Sequence, residues 1–163
     1  MSTAYPALHM MCGKIASGKS TLASRLARTQ GTIIIAEDEW LNALFPNGMS
    51  SLSDYVRCSS SLRSIMGPHV VNLLNNGISV VLDFAANTVP QRNWMHTLID
   101  ASSASHQLHV LDVSDEVCLR RLRERNATGE HPFAVTDEQF HQFTKYFEIP
   151  KPSEGFNIVK HDN

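Results

Sequence analysis

Strands alternating with helices along the 163 residues predict an α/β fold. The expected form is a five-stranded parallel sheet between helices, built as a single domain over residues 1–163. Three observations lead there. Short continuous apolar runs at residues 7–12, 32–36 and 78–82 have the character of strands covered on both faces. Between them lie stretches whose apolar residues recur three and four apart, as on one face of a helix. A glycine-containing loop, residues 12–21, falls between the first such strand and the first such helix.

That loop organises the chain. It fits G-x-x-x-x-G-K-[ST], with Gly13, Gly18, Lys19 and Ser20 at the fixed positions. A Gly-rich turn lets successive backbone N–H groups point inward and form a nest for phosphate oxygens. The helix that follows adds unpaired N–H groups and the positive end of its dipole. Lys19 is then placed to reach β and γ phosphates, and the Ser20 hydroxyl to ligate Mg²⁺. Leu22 and Leu26, with Ala23 and Ala27 beside them, give that helix its apolar face. The loop is therefore a P-loop, and it implies a nucleoside triphosphate.

The remaining elements follow in order. Gly31-Thr32 makes a turn into the strand at 32–36, which ends in the acidic cluster Glu37-Asp38-Glu39. Residues 40–45 suit a short helix stopped by Pro46-Asn47-Gly48. Ser53 and Asp54 open a longer helix to about Asn76, with a bend or break expected at Gly67-Pro68 and Gly77 as its C-cap. The strand 78–83 is apolar until its terminal Asp83. A helix from Pro90 to about Ala101, a strand at 107–113, and a helix capped by Ser114, Asp115 and Glu116 come next. Residues 126–136 look like loop, 137–147 like helix, and 156–159 like a last strand. In such sheets ligands sit at the C-terminal strand edge, and Gly13, Asp38 and Asp83 all fall there.

Bulk composition narrows the partners. A formal net charge of −2 argues against a general polyanion binder, so nucleic acid is an unlikely partner. Cys12, Cys58 and Cys118 are odd in number and lack a C-x-x-C pair, which suits a reduced, cytoplasmic setting. No signal-peptide pattern or membrane-length apolar run is present.

Phosphoryl transfer requires a phosphate cradle, a magnesium site, cations over the moving group and an orienter for the acceptor hydroxyl. Asp83 can hold Mg²⁺ with Ser20; its bland reading is a turn or N-cap aspartate. Asp38 can take the acceptor proton; its bland reading is the N-cap of a helix beginning at Glu39. Glu37 and Glu39 rival it. Arg121 and Arg125, four apart, share a helix face and can cover the phosphates, against a bland reading as solvated charge. The following loop suits a lid over about 121–136. The eight histidines show no ligand spacing. Ser59-Ser60-Ser61 suit a polar helix surface, Arg57 and Arg63 suit an anionic substrate or, as the better reading, a solvated face, and Trp40, Phe45, Phe84 and Trp94 suit either an acceptor pocket or core.

Taken together, residues 13–21, Glu37-Asp38-Glu39-Trp40, Val80-Val81-Leu82-Asp83, residues 121–126, and Phe147-Glu148-Ile149-Pro150 with Glu154 resemble a family. It is that of the small P-loop kinases, AAA-type and zeta-toxin-like, related to chloramphenicol phosphotransferase, gluconate kinase and polynucleotide kinase domains. The resemblance covers nearly the whole chain. It implies ATP, Mg²⁺ and a sheet ordered 2-3-1-4-5. It also implies that Asp38 is the base or orienter and that Arg121 and Arg125 are the lid arginines. Gly13, Lys14, Ala16, Ser17, Gly18, Lys19, Ser20 and Thr21 would hold the nucleotide together with Arg125. Leu41 stands where polynucleotide-kinase-type members often carry an arginine for the substrate phosphate. The expected activity is transfer of a γ-phosphoryl group to a hydroxyl of a small molecule. A nucleotide-dependent switch without acceptor, and a kinase of nucleic-acid 5′-hydroxyl ends, are the alternatives.

Overall fold

Five strands form one parallel sheet in the order β2-β3-β1-β4-β5 in a computed structural model that describes residues 5–129 and 134–162. They are β1 (Ala7–Gly13), β2 (Thr32–Ala36), β3 (Ser79–Ala85), β4 (Ser105–Leu111) and β5 (Ile158–His161). The helices are α1 (Lys19–Leu26), α2 (Glu37–Leu44), α3 (Leu52–Asn75), α4 (Val89–Asp100), α5 (Asp115–Thr128) and α6 (Asp137–Thr144). The implied strand order therefore holds.

Strand alternation sorts the core into two layers. Leu8, Met10, Cys12, Val80 and Leu82 pack on one face against Cys58, Leu62, Met66 and Val70 of α3 and Met95 of α4. Met11, Val81 and Leu111 pack on the other against Leu22 of α1, Cys118 and Leu122 of α5, and Phe140 of α6. On this second side His9, His109 and His161, from three neighbouring strands, make a hydrogen-bonded chain with nitrogen separations of 3.1 and 2.8 Å. Burial lowers the His109 pKa to about 4, assisted by His9 and His161.

Several sequence expectations are corrected. The β2 run is not covered on both faces: it is an outer strand, and Ile33 and Ile34 remain more than a third exposed. Helix α2 begins at Glu37, two residues before the expected start, with Ala36 as N-cap and no side-chain cap, so Asp38 does not serve as one. Helix α3 runs unbroken through Pro68. It ends in a Schellman arrangement: Gly77, at φ 81°, donates its N–H to Leu74 O and Ile78 donates to Leu73 O. Asp83 does not end its strand, because β3 continues to Ala85. Helix α5 extends to Thr128, so residues 126–128 are helix and not loop. The expected lid includes residues 130–133, which lie outside the described residues. The fourth strand starts and ends two residues earlier than expected, α6 stops at Thr144, and the last strand is the outer β5. Among the described residues no helix is long and apolar enough to cross a membrane.

Candidate active site

The loop between β1 and α1 is shaped by its glycines. A Cβ on Gly13 would stand 2.4 Å from Ser17 Oγ and 3.1 Å from Leu111 O. Gly18, the α1 N-cap, sits at φ 103°, and Ala16 accepts φ 61°. Two left-handed residues, Ala16 and Gly18, bend the loop just ahead of a helix N-terminus, an arrangement that fits phosphate. Ser17 Oγ is buried without a hydrogen-bond partner among the described residues. Lys19 Nζ donates to Gly13 O at 2.6 Å and Lys14 O at 2.8 Å, which folds it over the loop. Burial pulls its ammonium below the ordinary value, while Asp83, then Cys12 and Asp38, act against that.

Asn87, just beyond the neighbouring strand β3, clamps the loop at Gly13. Its Oδ1 accepts from Gly13 N and its Nδ2 donates to Gly13 O, both at 2.8 Å. Its own N–H donates to Gln91 Oε1 in the first turn of α4. Asn87→Ala is therefore expected to cost roughly 1–3 kcal/mol of stability and to weaken nucleotide binding. Denaturant unfolding and calorimetric titration with AMPPNP check both; no change in either would contradict the clamp.

Two carboxylates approach the loop from β2 and β3. The β1–β3 register shifts between Met10 and Met11, which pairs with Ala85, so Asp83 lies in an irregular stretch facing the cleft. On its other side Asp83 pairs in register with Ala36, two residues before Asp38. Asp38 lines the same cleft. Its carboxyl is pushed above the ordinary value by burial and by Asp83, and Lys19 and Arg125 partly offset this.

The three acidic residues after β2 have separate fates. Glu39 is exposed and Glu37 is only 2 % exposed. Glu37 accepts hydrogen bonds from Ser59 Oγ and, at 3.4 Å, from Tyr55 Oη, and it faces Arg63 at 3.8 Å. Ser59 and Arg63 thus belong to a buried polar cluster and not to a solvated face. Arg63 also donates to Ala85 O and lies 4.9 Å from the centre of the Trp94 ring. Arg57 is exposed and pairs with Asp54. Phe84 and Trp94 stack on each other beside α3, whereas Trp40 is 44 % exposed on α2. Leu41 is fully buried.

From α5, Arg121 donates to Ser17 O at 3.4 Å, which puts its guanidinium on the loop. Burial pulls the Arg125 guanidinium below its ordinary value while the Asp38 charge acts against that, and its Nε is buried with no hydrogen-bond partner among the described residues. Lys14 is held by Asp115 at 2.7 Å and by Val113 O, so it braces the loop against α5. Ser20 and Thr21 line the cleft at the exposed start of α1.

Ser20, a hydroxyl, and Asp83, a carboxylate, both line the cleft, and hard oxygen donors of this kind suit Mg²⁺. Among the described residues no group of three or more His, Cys, Asp or Glu side chains is arranged to hold a metal. The open cleft of about 1390 Å³ exceeds what one drug-sized ligand needs.

A family model described as an AAA domain matches residues 8–150. The chain belongs to that family. No curated protein matches the sequence. Among solved structures, a candidate kinase from Chloroflexus aurantiacus superposes with a TM-score of 0.75 at 20% identity, over 97% of this chain and 85% of that one. A sugar kinase from Janibacter gives 0.65 at 17% identity, over 98% and 86%. An APS kinase from Mycobacterium tuberculosis, solved with AMPPNP and APS, gives 0.62 at 18% identity, over 98% and 90%. The AAA-domain family member described here therefore has the fold of P-loop kinases.

Two features of the site, Asn87 and the pairing of Arg63, and one buried pair outside it, Arg92 with Glu154, are not signalled by the sequence. Arg92 is fully buried, bound to Glu154 by Nε at 2.6 Å and Nη2 at 3.1 Å. Its Nη1 donates to Ala86 O and Glu148 O. Asn87 lies 74 positions from Gly13, and Arg92 lies 62 from Glu154. No local pattern signals either contact.

Proposed function

We propose that this protein, as one domain over residues 1–163, is an ATP- and Mg²⁺-dependent kinase that phosphorylates a hydroxyl of a small molecule. The observation that carries the reading is Asp38: a carboxylate in the cleft of the phosphate loop, under the charges of Lys19, Asp83 and Arg125. A carboxylate there serves an acceptor hydroxyl or, in a hydrolysing switch, the attacking water, and the dependence of ADP production on an acceptor tells the two apart.

The loop amides of residues 13–21 and Lys19 hold the phosphates, and Ser20 and Asp83 hold the metal. Bound ATP and Mg²⁺ supply the phosphoryl group and neutralise its charge. Asp38 orients the acceptor hydroxyl and takes its proton as the oxygen receives the phosphoryl group. Arg121 and Arg125 face the transferring group and stabilise the charge that spreads over it. The segment around 121–136 acts as the lid that excludes water.

A pH dependence follows from Asp38. Its carboxyl titrates above the ordinary carboxylate range, and only the deprotonated form accepts a proton. Turnover should therefore rise with pH through a limb lying above about pH 4. A kcat profile that stays flat down to that pH would remove Asp38 as the base.

The function itself is tested by ADP production with Mg²⁺, alone and across hydroxylated small molecules, beside Lys19→Ala. A compound that raises wild-type ADP production severalfold and gains a phosphate by mass supports the kinase. Slow turnover that no compound accelerates favours the switch.

A further inference from the structure

We infer that Glu37 is a positioning residue for Asp38: α3 grips its carboxylate, and that grip fixes the start of α2, from which Asp38 enters the cleft. The inference rests on Asp38 acting on a nucleophile, and holds whether that nucleophile is an acceptor hydroxyl or water. Tyr55, Ser59 and Arg63 stand four apart and so share one stripe of α3. All three meet Glu37. Ser59 Oγ donates to Oε1, Tyr55 Oη donates to the same oxygen at 3.4 Å, and Arg63 Nη2 lies 3.8 Å from Oε2. Glu37 and Ser59 are both buried, so solvent does not compete for these contacts.

Arg63 carries the grip on to β3. Its Nη2 also donates to Ala85 O, and its guanidinium lies 4.9 Å from the centre of the Trp94 ring and 5.7 Å from that of Phe84. Ala85 closes β3 two residues after Asp83, and Asp83 pairs in register with Ala36, the residue before Glu37. Glu37 therefore links α3 to the two segments that bring Asp38 and Asp83 to the cleft. The N-cap of α2, Ala36, supplies no side-chain hydrogen bond to the first turn, so the hold on Glu37 does the anchoring there. Burial and then Asp38 work against the Glu37 charge, while Arg63, Ser59 and the Ala85 backbone support it. One peptide link separates Glu37 from Asp38, and a first turn that loses its anchor moves both. A displacement of about 1 Å in a reacting group costs on the order of 100-fold in rate.

A double-mutant cycle on ADP production separates positioning from a merely structural role. It is run with Mg²⁺ and ATP, in the presence of any compound that accelerates turnover and in water alone. Glu37→Ala should lower kcat about 10- to 100-fold and leave the KM for ATP within about twofold of wild type. In the Asp38→Asn background the same change should have almost no effect, because the group that Glu37 aims is already gone. Ser59→Ala keeps the Glu37–Arg63 pairing and removes one hydrogen bond, so it should act in the same sense with a loss of about two- to tenfold. It decides the matter if Glu37→Ala does not fold. An equal loss in both backgrounds would overturn the inference and leave Glu37 a structural residue. So would wild-type kcat in folded Glu37→Ala or, failing that variant, in Ser59→Ala, and so would full kcat in Asp38→Asn. The kinase reading fails separately, when no compound accelerates ADP production, and the cycle on basal hydrolysis then still tests Glu37.

Discussion

Replacing Asp38 by Asn lowers kcat by about 100- to 10,000-fold and leaves ATP affinity near wild type. The amide keeps the volume and the hydrogen-bonding shape of the side chain but cannot accept a proton from the acceptor hydroxyl. The loop that holds the phosphates is built from other residues, so binding survives. The folded protein should be no less stable, because burial and Asp83 both disfavour the Asp38 charge. A positioning residue and a base are told apart by the pH profile: the acid limb of kcat should vanish in the variant. Lys19→Ala is the contrast, since its ammonium folds over the loop and is proposed to bind the phosphates, so it should lose affinity together with turnover. An Asp38→Asn enzyme with full kcat would remove Asp38 from the mechanism.

Glu154→Ala should cost roughly 3–5 kcal/mol of folding stability. Arg92 has no exposure, and two of its three donor nitrogens end on the Glu154 carboxylate. Removing the acid leaves a guanidinium buried without its counter-charge. The double variant Arg92→Met, Glu154→Leu should recover much of the loss, which identifies the stranded charge and not the missing contact as the cause. Hydrogen bonding from Arg92 holds the Glu154 carboxyl below its usual value. A lowered folded pKa means that this contribution is full above the unfolded carboxylate value and fades as pH falls through the folded one. Wild-type protein should therefore lose more stability on acidification than Glu154→Ala does. Equal acid slopes in urea unfolding would contradict the pairing.

How much of this could be read from the chain alone depended on the range of the contact. The phosphate loop, the Ser114 cap and the Pro90 helix start are local, and local chemistry marks them. Strand order is not local, and it came from resemblance alone. The acidic cluster after β2 could be placed but not resolved. Glu37, Asp38 and Glu39 have similar chemistry, and only packing against Ser59, Tyr55 and Arg63 turns one inward while its neighbours face the cleft and the solvent. Arg63 was misread because charge on a helix is usually solvated; here Glu37 and two aromatic rings bury it. Gly67-Pro68 predicts a bend or break, and α3 is not broken there: it runs as one helix through Pro68. Asn87 and Arg92 act across more than sixty positions, and sequence spacing holds no trace of that.

Transfer of the γ-phosphoryl group to an acceptor hydroxyl is tested most directly by following the label from γ-³²P-ATP. With a binding compound present, the label should appear on that compound in step with ADP, and in neither place with Lys19→Ala. Label recovered only as inorganic phosphate, at a rate no compound alters, would contradict the account.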